Sequence, residues 1–227
     1  MRDHLVRSVL RQLWGLRKTL IIIYIPSLCV LGLAVLVCRY SGMDLHYLFR
    51  DPASTLDSPV YIGIISNIGI LLWSACAIIC FFSWMSLAGP LRDRETSRFL
   101  LAAAILTFVL CLDDLFMFHD RIFPNYLHVT ERAVLFALVF AFVSFFGYFW
   151  SSIRKTEFVL LFLSMGFFSA SAILDHLIPF VERFLPLWSQ NVLFEDGSKL
   201  LGIVTWLAYF ARVSLKQLRR RMGNQPG

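Results

Sequence analysis

Charge is scarce in this chain. Asp, Glu, Lys and Arg make up 16% of 227 residues, against 58% hydrophobic residues. So few charges do not cover the surface of a soluble domain, and the composition points to a membrane protein with several long apolar runs. Alternating apolar and polar positions are missing, which argues against a transmembrane barrel. The five cysteines (Cys29, Cys38, Cys76, Cys80 and Cys111) lie in or beside apolar runs, with Cys76 and Cys80 one helical turn apart. Neither a disulfide framework nor a zinc knuckle follows from that spacing, and buried free thiols are expected. The first apolar run has no small-x-small cleavage site after it and exceeds a signal-peptide core, so it is read as a retained helix. There is no His-x-x-x-His pair, and no inverted repeat or broken-helix pair of the kind that marks many transporters.

What remains is an all-α membrane bundle. Apolar runs predict six transmembrane helices at about 19–38, 60–86, 98–119, 132–151, 157–178 and 193–213. Gly89-Pro90 stops the second and Pro179 the fifth. Residues 1–18 form a basic segment with Leu5, Val9 and Leu13 on one face, suited to lying on a membrane surface. The six helices occupy 19–213, and 214–227 form a basic, polar tail. The fourth helix, rich in Phe and free of internal charge, reads as a lipid-facing wall.

The net charge of +6 is not a nucleic-acid signal, because the cations flank apolar runs as topology determinants do. Fifteen of the 21 Lys and Arg residues fall in the N-terminus, the 87–98 and 152–156 loops and the C-terminus. The positive-inside rule then places both termini in the cytoplasm, in a multi-pass protein of a cell inner membrane. The partner implied is membrane lipid; no nucleic acid is expected.

This topology brings the intramembrane polar residues to one level. The stretch Leu112-Asp113-Asp114-Leu115-Phe116-Met117-Phe118-His119-Asp120 closes the third helix. Asp175 and His176 close the fifth helix, and Glu195 and Asp196 open the sixth. All three groups fall at the outer face. A charge at bilayer depth costs roughly 2.5–3.5 kcal/mol on insertion scales, so such residues face a bundle interior or a water-filled cavity. Helical spacing puts Asp113 with Asp120, Asp114 with Arg121, and Asp175 with Ser171 and Ser164. It also makes a stripe of Glu195, Lys199, Gly202 and Trp206 on the sixth helix. Lys199 lies one turn deeper than Glu195 and needs a carboxylate, either Glu195 itself or an acid on the third helix.

Three readings use this cluster. Carboxylates with imidazole suit a divalent metal such as zinc; His119, His176, Asp113 or Asp114, and Glu195 are the candidate ligands. A metal hydroxide with a remaining carboxylate as base would hydrolyse a lipid or lipid-linked substrate. The catalytic candidates are Asp113, Asp114, Glu195, Asp196 and Lys199. The second reading is a small transporter or proton relay, against which stands the confinement of the cluster to one face. The third is a salt-bridged cap in which Lys199, Arg121 and Arg183 hold the acidic helix ends together without catalysis.

LDDLFMFHD together with FEDGSKLLGIVTW resembles a group of uncharacterised bacterial multi-helix membrane proteins. Their pattern is an acidic pair, a His-acid pair and a late acidic pair before Lys-x-x-Gly. The matching residues are Asp113, Asp114, His119, Asp120, Glu195, Asp196, Lys199 and Gly202. The resemblance covers two segments and implies no activity. A fainter one is to the alkaline ceramidase and progestin-receptor-like hydrolases, whose late His-x-x-x-His and seventh helix this chain lacks. Glu195-Asp196-x-x-Lys199 is also similar to the Glu-Glu-x-x-Lys element of PrsW-type membrane proteases, but here it stands in the last helix rather than early.

Overall fold

The computed structural model describes residues 61–87, 94–182 and 191–223, together with scattered positions between 14 and 59; side chains at 176–182, 191–193 and 221–223 are outside the description. The chain divides into two compact units, Met1–Ile62 and Gly63–Gly227. In the first, α1 (Leu31–Ser41) is a short apolar helix. Ser41 donates its hydroxyl to the Val37 carbonyl at 2.7 Å, one turn back. Much of the predicted first spanning helix and nearly all of the basic amphipathic segment lie outside the described residues.

The second unit carries five long helices: α2 (Ile64–Ser86), α3 (Arg94–Phe116), α4 (Glu131–Ile153), α5 (Phe158–Glu182) and α6 (Asn191–Gly223). A π-helical turn (Phe118–Ile122) and a single α turn (Phe123–Tyr126) link α3 to α4. No strand occurs among the described residues. Among the described residues, four stretches are long and apolar enough to cross a membrane: α2, α3, α4 and the Phe158–Asp175 part of α5. Both ends of α6 depart from the predicted span. The helix continues to Gly223, so residues 214–223, read from sequence as a polar tail, are helical. Alternation of Leu215 and Leu218 with Lys216, Arg219 and Arg220 gives that extension the makings of a two-faced helix. On α5 the helix runs through Pro179 to Glu182 rather than stopping before it. Proline has a helical φ and removes only one donor, so a helix end tolerates it better than a helix centre.

The closest backbone packing pairs α5 with α6, α2 with α3, and α2 with α6. α3 and α6 both pack on α2, and their side chains also meet directly, Lys199 with Asp114 and Trp206 with Thr107. Gly202 makes the α5–α6 approach possible: a Cβ there would stand 2.5 Å from the Phe168 ring. Ser164 donates to the Gly202 carbonyl at 2.8 Å across the same seam. Small residues and interhelical hydrogen bonds are the usual means of association where lipid removes the hydrophobic drive.

Trp206 is the centre of the core and is fully buried. Its ring meets Trp73 of α2 (6.1 Å), Phe142 of α4 (5.8 Å), Phe168 of α5 (6.4 Å) and Phe210 of its own helix (4.9 Å). Its indole N–H donates to Thr107 Oγ1 of α3 at 3.0 Å, which satisfies the one polar group the ring carries. One side chain thus touches all five long helices. On α4, Phe145 and Phe149 point inward, whereas Phe136, Val139, Phe140 and Val143 are exposed. An apolar face of that length suits lipid, as the expected wall requires. All five cysteines are free, and Cys38, Cys76, Cys80 and Cys111 are buried.

Candidate functional site

The acidic pair closing α3 divides its two carboxylates between two tasks. Consecutive helical residues point about 100° apart, so Asp113 and Asp114 cannot share a partner easily. Asp114 faces the helices. Its Oδ1 accepts from Lys199 Nζ of α6 at 2.7 Å, and its Oδ2 accepts from Trp73 Nε1 of α2 at 3.0 Å. Both carboxylate oxygens are occupied, and three helices are tied at one point. The Asp114 side chain is 12% exposed and that of Lys199 43%, so the ammonium reaches the pair from a wetter side. A small cleft opens there, lined by Ser66 and Gly69 of α2, Asp114, and Asp196, Lys199 and Ile203 of α6.

Asp113 faces the chain that follows α3. Its Oδ1 accepts the His119 backbone N–H at 3.0 Å and its Oδ2 contacts His119 Nδ1 at 2.7 Å. These two bonds account for the local backbone. The predicted helix to residue 119 ends at Phe116, because the 119 amide is given to a side chain rather than to the carbonyl of residue 115. Met117 then turns through a left-handed conformation (φ 52°), which costs a non-glycine residue about 1–2 kcal/mol. The π turn follows, with the Arg121 and Ile122 amides both donating to the Met117 carbonyl at 2.8 and 3.2 Å. Such turns concentrate at functional sites.

The break at Met117 changes two sequence expectations. Asp120 does not continue the face of Asp113, and Arg121 does not continue that of Asp114, since helical spacing ends before either. Asp120 and Arg121 instead pair with each other at 3.4 Å, both well exposed. An ion pair so placed contributes little.

Lys199 takes the tertiary partner, Asp114, rather than Glu195. Glu195 is half-buried and lies within electrostatic reach of Asp175, Asp196 and Lys199. Asp175 and Asp196 are exposed. The predicted stripe on α6 faces the bundle: Lys199 meets α3, Gly202 meets α5 and Trp206 fills the core. Of the predicted metal ligands, Asp113 and His119 stand together, while the side chain of His176 lies outside the described residues. Among the described residues no group of three or more His, Cys, Asp and Glu side chains is arranged to hold a metal. Arg183, assigned to the salt-bridged cap, also lies outside them.

Trp73 is the site residue that sequence reading missed. An indole inside an apolar run reads as core or interfacial belt, and nothing local marks its N–H as a carboxylate donor. Its neighbour Ser74 contacts Cys111 of α3 at 3.1 Å.

The chemistry follows from the Asp113–His119 clamp. The carboxylate raises the His119 pKa above its ordinary 6.5, chiefly through the hydrogen bond, against a lowering by burial. A neutral His119 holding its proton on Nδ1 toward Asp113 presents a bare Nε2, the arrangement that orients a general base. The His119 side chain is 28% exposed and that of Asp113 only 9%, so the imidazole reaches water while the carboxylate beside it does not.

A family model described as a domain of unknown function (DUF8692) matches residues 10–213. No curated protein matches the chain, and neither does any solved structure.

Proposed function

The chain belongs to the DUF8692 family, a domain of unknown function, and from that premise we propose that it is a six-span membrane protein with an acid–base centre at its outer face. Both termini lie in the cytoplasm in this reading, on the strength of the Lys and Arg asymmetry. The substrate class is a lipid or lipid-linked ester reaching the cluster sideways from the bilayer. His119 Nε2 takes a proton from the water that attacks the ester carbonyl and returns it to the alkoxide that leaves as the acyl–oxygen bond breaks, Asp113 holds the imidazole and steadies its charge, and Asp114 with Lys199 keeps the helix ends in register. The observation that carries the reading is the double hold of Asp113 on the ring and the backbone of His119. A carboxylate spent only on stability would not need to fix an imidazole so completely at the price of a left-handed Met117.

The same clamp supports a second reading. A carboxylate on one imidazole nitrogen is the usual support of a metal-ligating histidine, leaving Nε2 for the ion. His176 and Glu195 are the further ligands in that case. Incubating the purified chain in lipid vesicles and following lipid products by mass spectrometry tests both. Products should form, and His119→Gln should slow them by at least about 100-fold, the usual contribution of a general base. Tm measured alongside should fall only modestly, because Gln still offers Asp113 a donor and the His119 backbone N–H bond is kept. One equivalent of bound metal, lost in the variant, selects the metal reading. Unchanged lipid, or equal turnover by wild type and His119→Gln, rejects the acid–base centre.

A further inference from the structure

At the other end of the bundle, a cleft forms where the 154–157 turn meets the last turns of α6. It is lined by Lys155, Thr156, Glu157, Arg212, Lys216 and Arg220, among others. We propose that this cleft binds the phosphate of an anionic phospholipid headgroup. The inference needs only that α5 crosses a membrane, and it is independent of the chemistry at His119.

Four cations and one carboxylate line the cleft, and that carboxylate is already used. Glu157 accepts from Arg212 through Nε and, at 2.8 Å, through Nη2. Lys155 is drawn to Glu95 of α3 at 3.3 Å. Lys216 and Arg220, four residues apart and so on one helical face, are both exposed toward the same opening. The walls are fixed: the Thr156 hydroxyl meets the hydroxyl of buried Tyr209 at 2.7 Å, and Ser152 donates to Glu95 at 2.6 Å. A built concavity with net positive charge suits a phosphate oxyanion.

Depth decides between a lipid phosphate and a free one. Phe158 and Val159 follow Glu157 directly, both exposed, at the start of an apolar span. The cleft therefore stands at the level where headgroup phosphates lie, with apolar side chains below it for acyl chains. Basic pockets between spanning helices are the recurring form of headgroup recognition.

The test uses the full chain in a neutral detergent, titrated separately with phosphatidylglycerol, phosphatidylcholine and inorganic phosphate. Binding is read by native mass spectrometry and by the shift in Tm. Phosphatidylglycerol should bind at least about tenfold more tightly than phosphatidylcholine and raise Tm. The Lys216→Gln/Arg220→Gln pair should weaken phosphatidylglycerol about tenfold and leave the lipid-free Tm unchanged. Should that pair fail to fold, the wild-type preference must still weaken in high salt, as a headgroup attraction does. Equal affinity for the two lipids, full affinity in the double variant, or an equal Tm rise with inorganic phosphate would each overturn the proposal.

Discussion

Lys199→Met should destabilise the bundle by roughly 2–4 kcal/mol, toward the lower side of the 3–5 typical when one partner of a fully buried pair is removed. The discount reflects the exposure of the lysine: water reaches the ammonium, so the pair is screened in part. What makes the loss large is Asp114, which is mostly buried and keeps the Trp73 donor but no counter-ion once the ammonium is gone. Adding Asp114→Asn to the same chain should recover much of the loss, because a neutral amide does not require a counter-ion. Denaturation by a graded detergent series, run on the single and double variants, measures this coupling. A Lys199→Met chain as stable as wild type would remove the ion pair from any account of how α2, α3 and α6 are held.

Trp206→Ala should cost more, roughly 3–5 kcal/mol, the range for deleting a large aromatic side chain from a packed interior. Its ring contacts reach α2, α4 and α5, and its N–H reaches Thr107 on α3. Truncation leaves a cavity and removes the Thr107 partner in one step. In a bilayer the cavity term carries the loss, since helix association there rests on packing rather than on expulsion of water. Trp206→Phe keeps most of the volume and loses the hydrogen bond, and should cost about 1–2 kcal/mol. Equal effects of the two substitutions would mean that the hydrogen bond, not the ring, organises the core.

The helices were largely legible because membrane spans are written in long apolar runs, which do not depend on distant partners. α2, α3 and α4 agree with their predicted bounds to within a few residues. One meeting of polar ends was legible as well: an acid on the third helix was a candidate partner of Lys199 by spacing, and Asp114 takes it. Tertiary choices were not. Lys199 had candidate acids both on its own helix and on the third, and only the packing of α3 and α6 against the same α2 brings Asp114 to it. Likewise no periodicity announces that Asp113 captures the His119 amide and ends its own helix. A short-range side-chain bond overrides the apolar pattern there, and the two faces projected past Met117 fail for that reason. The extension of α6 to Gly223 was hidden by its charge, which reads as a solvated tail until the helix is seen to continue.

The most direct test of the division of labour between Asp113 and Asp114 is the titration of His119 by nitrogen NMR in micelles. A folded-state pKa above the ordinary 6.5 makes the clamp stabilising below that pH and costs that stabilisation as pH rises through the raised value. The imidazole should titrate above 6.5, with its neutral form carrying the proton on Nδ1. Asp113→Asn should bring the midpoint down and free the tautomer, whereas Asp114→Asn should move it far less. A midpoint at the ordinary value, untouched by Asp113→Asn, would contradict the claim that this carboxylate exists to orient a base.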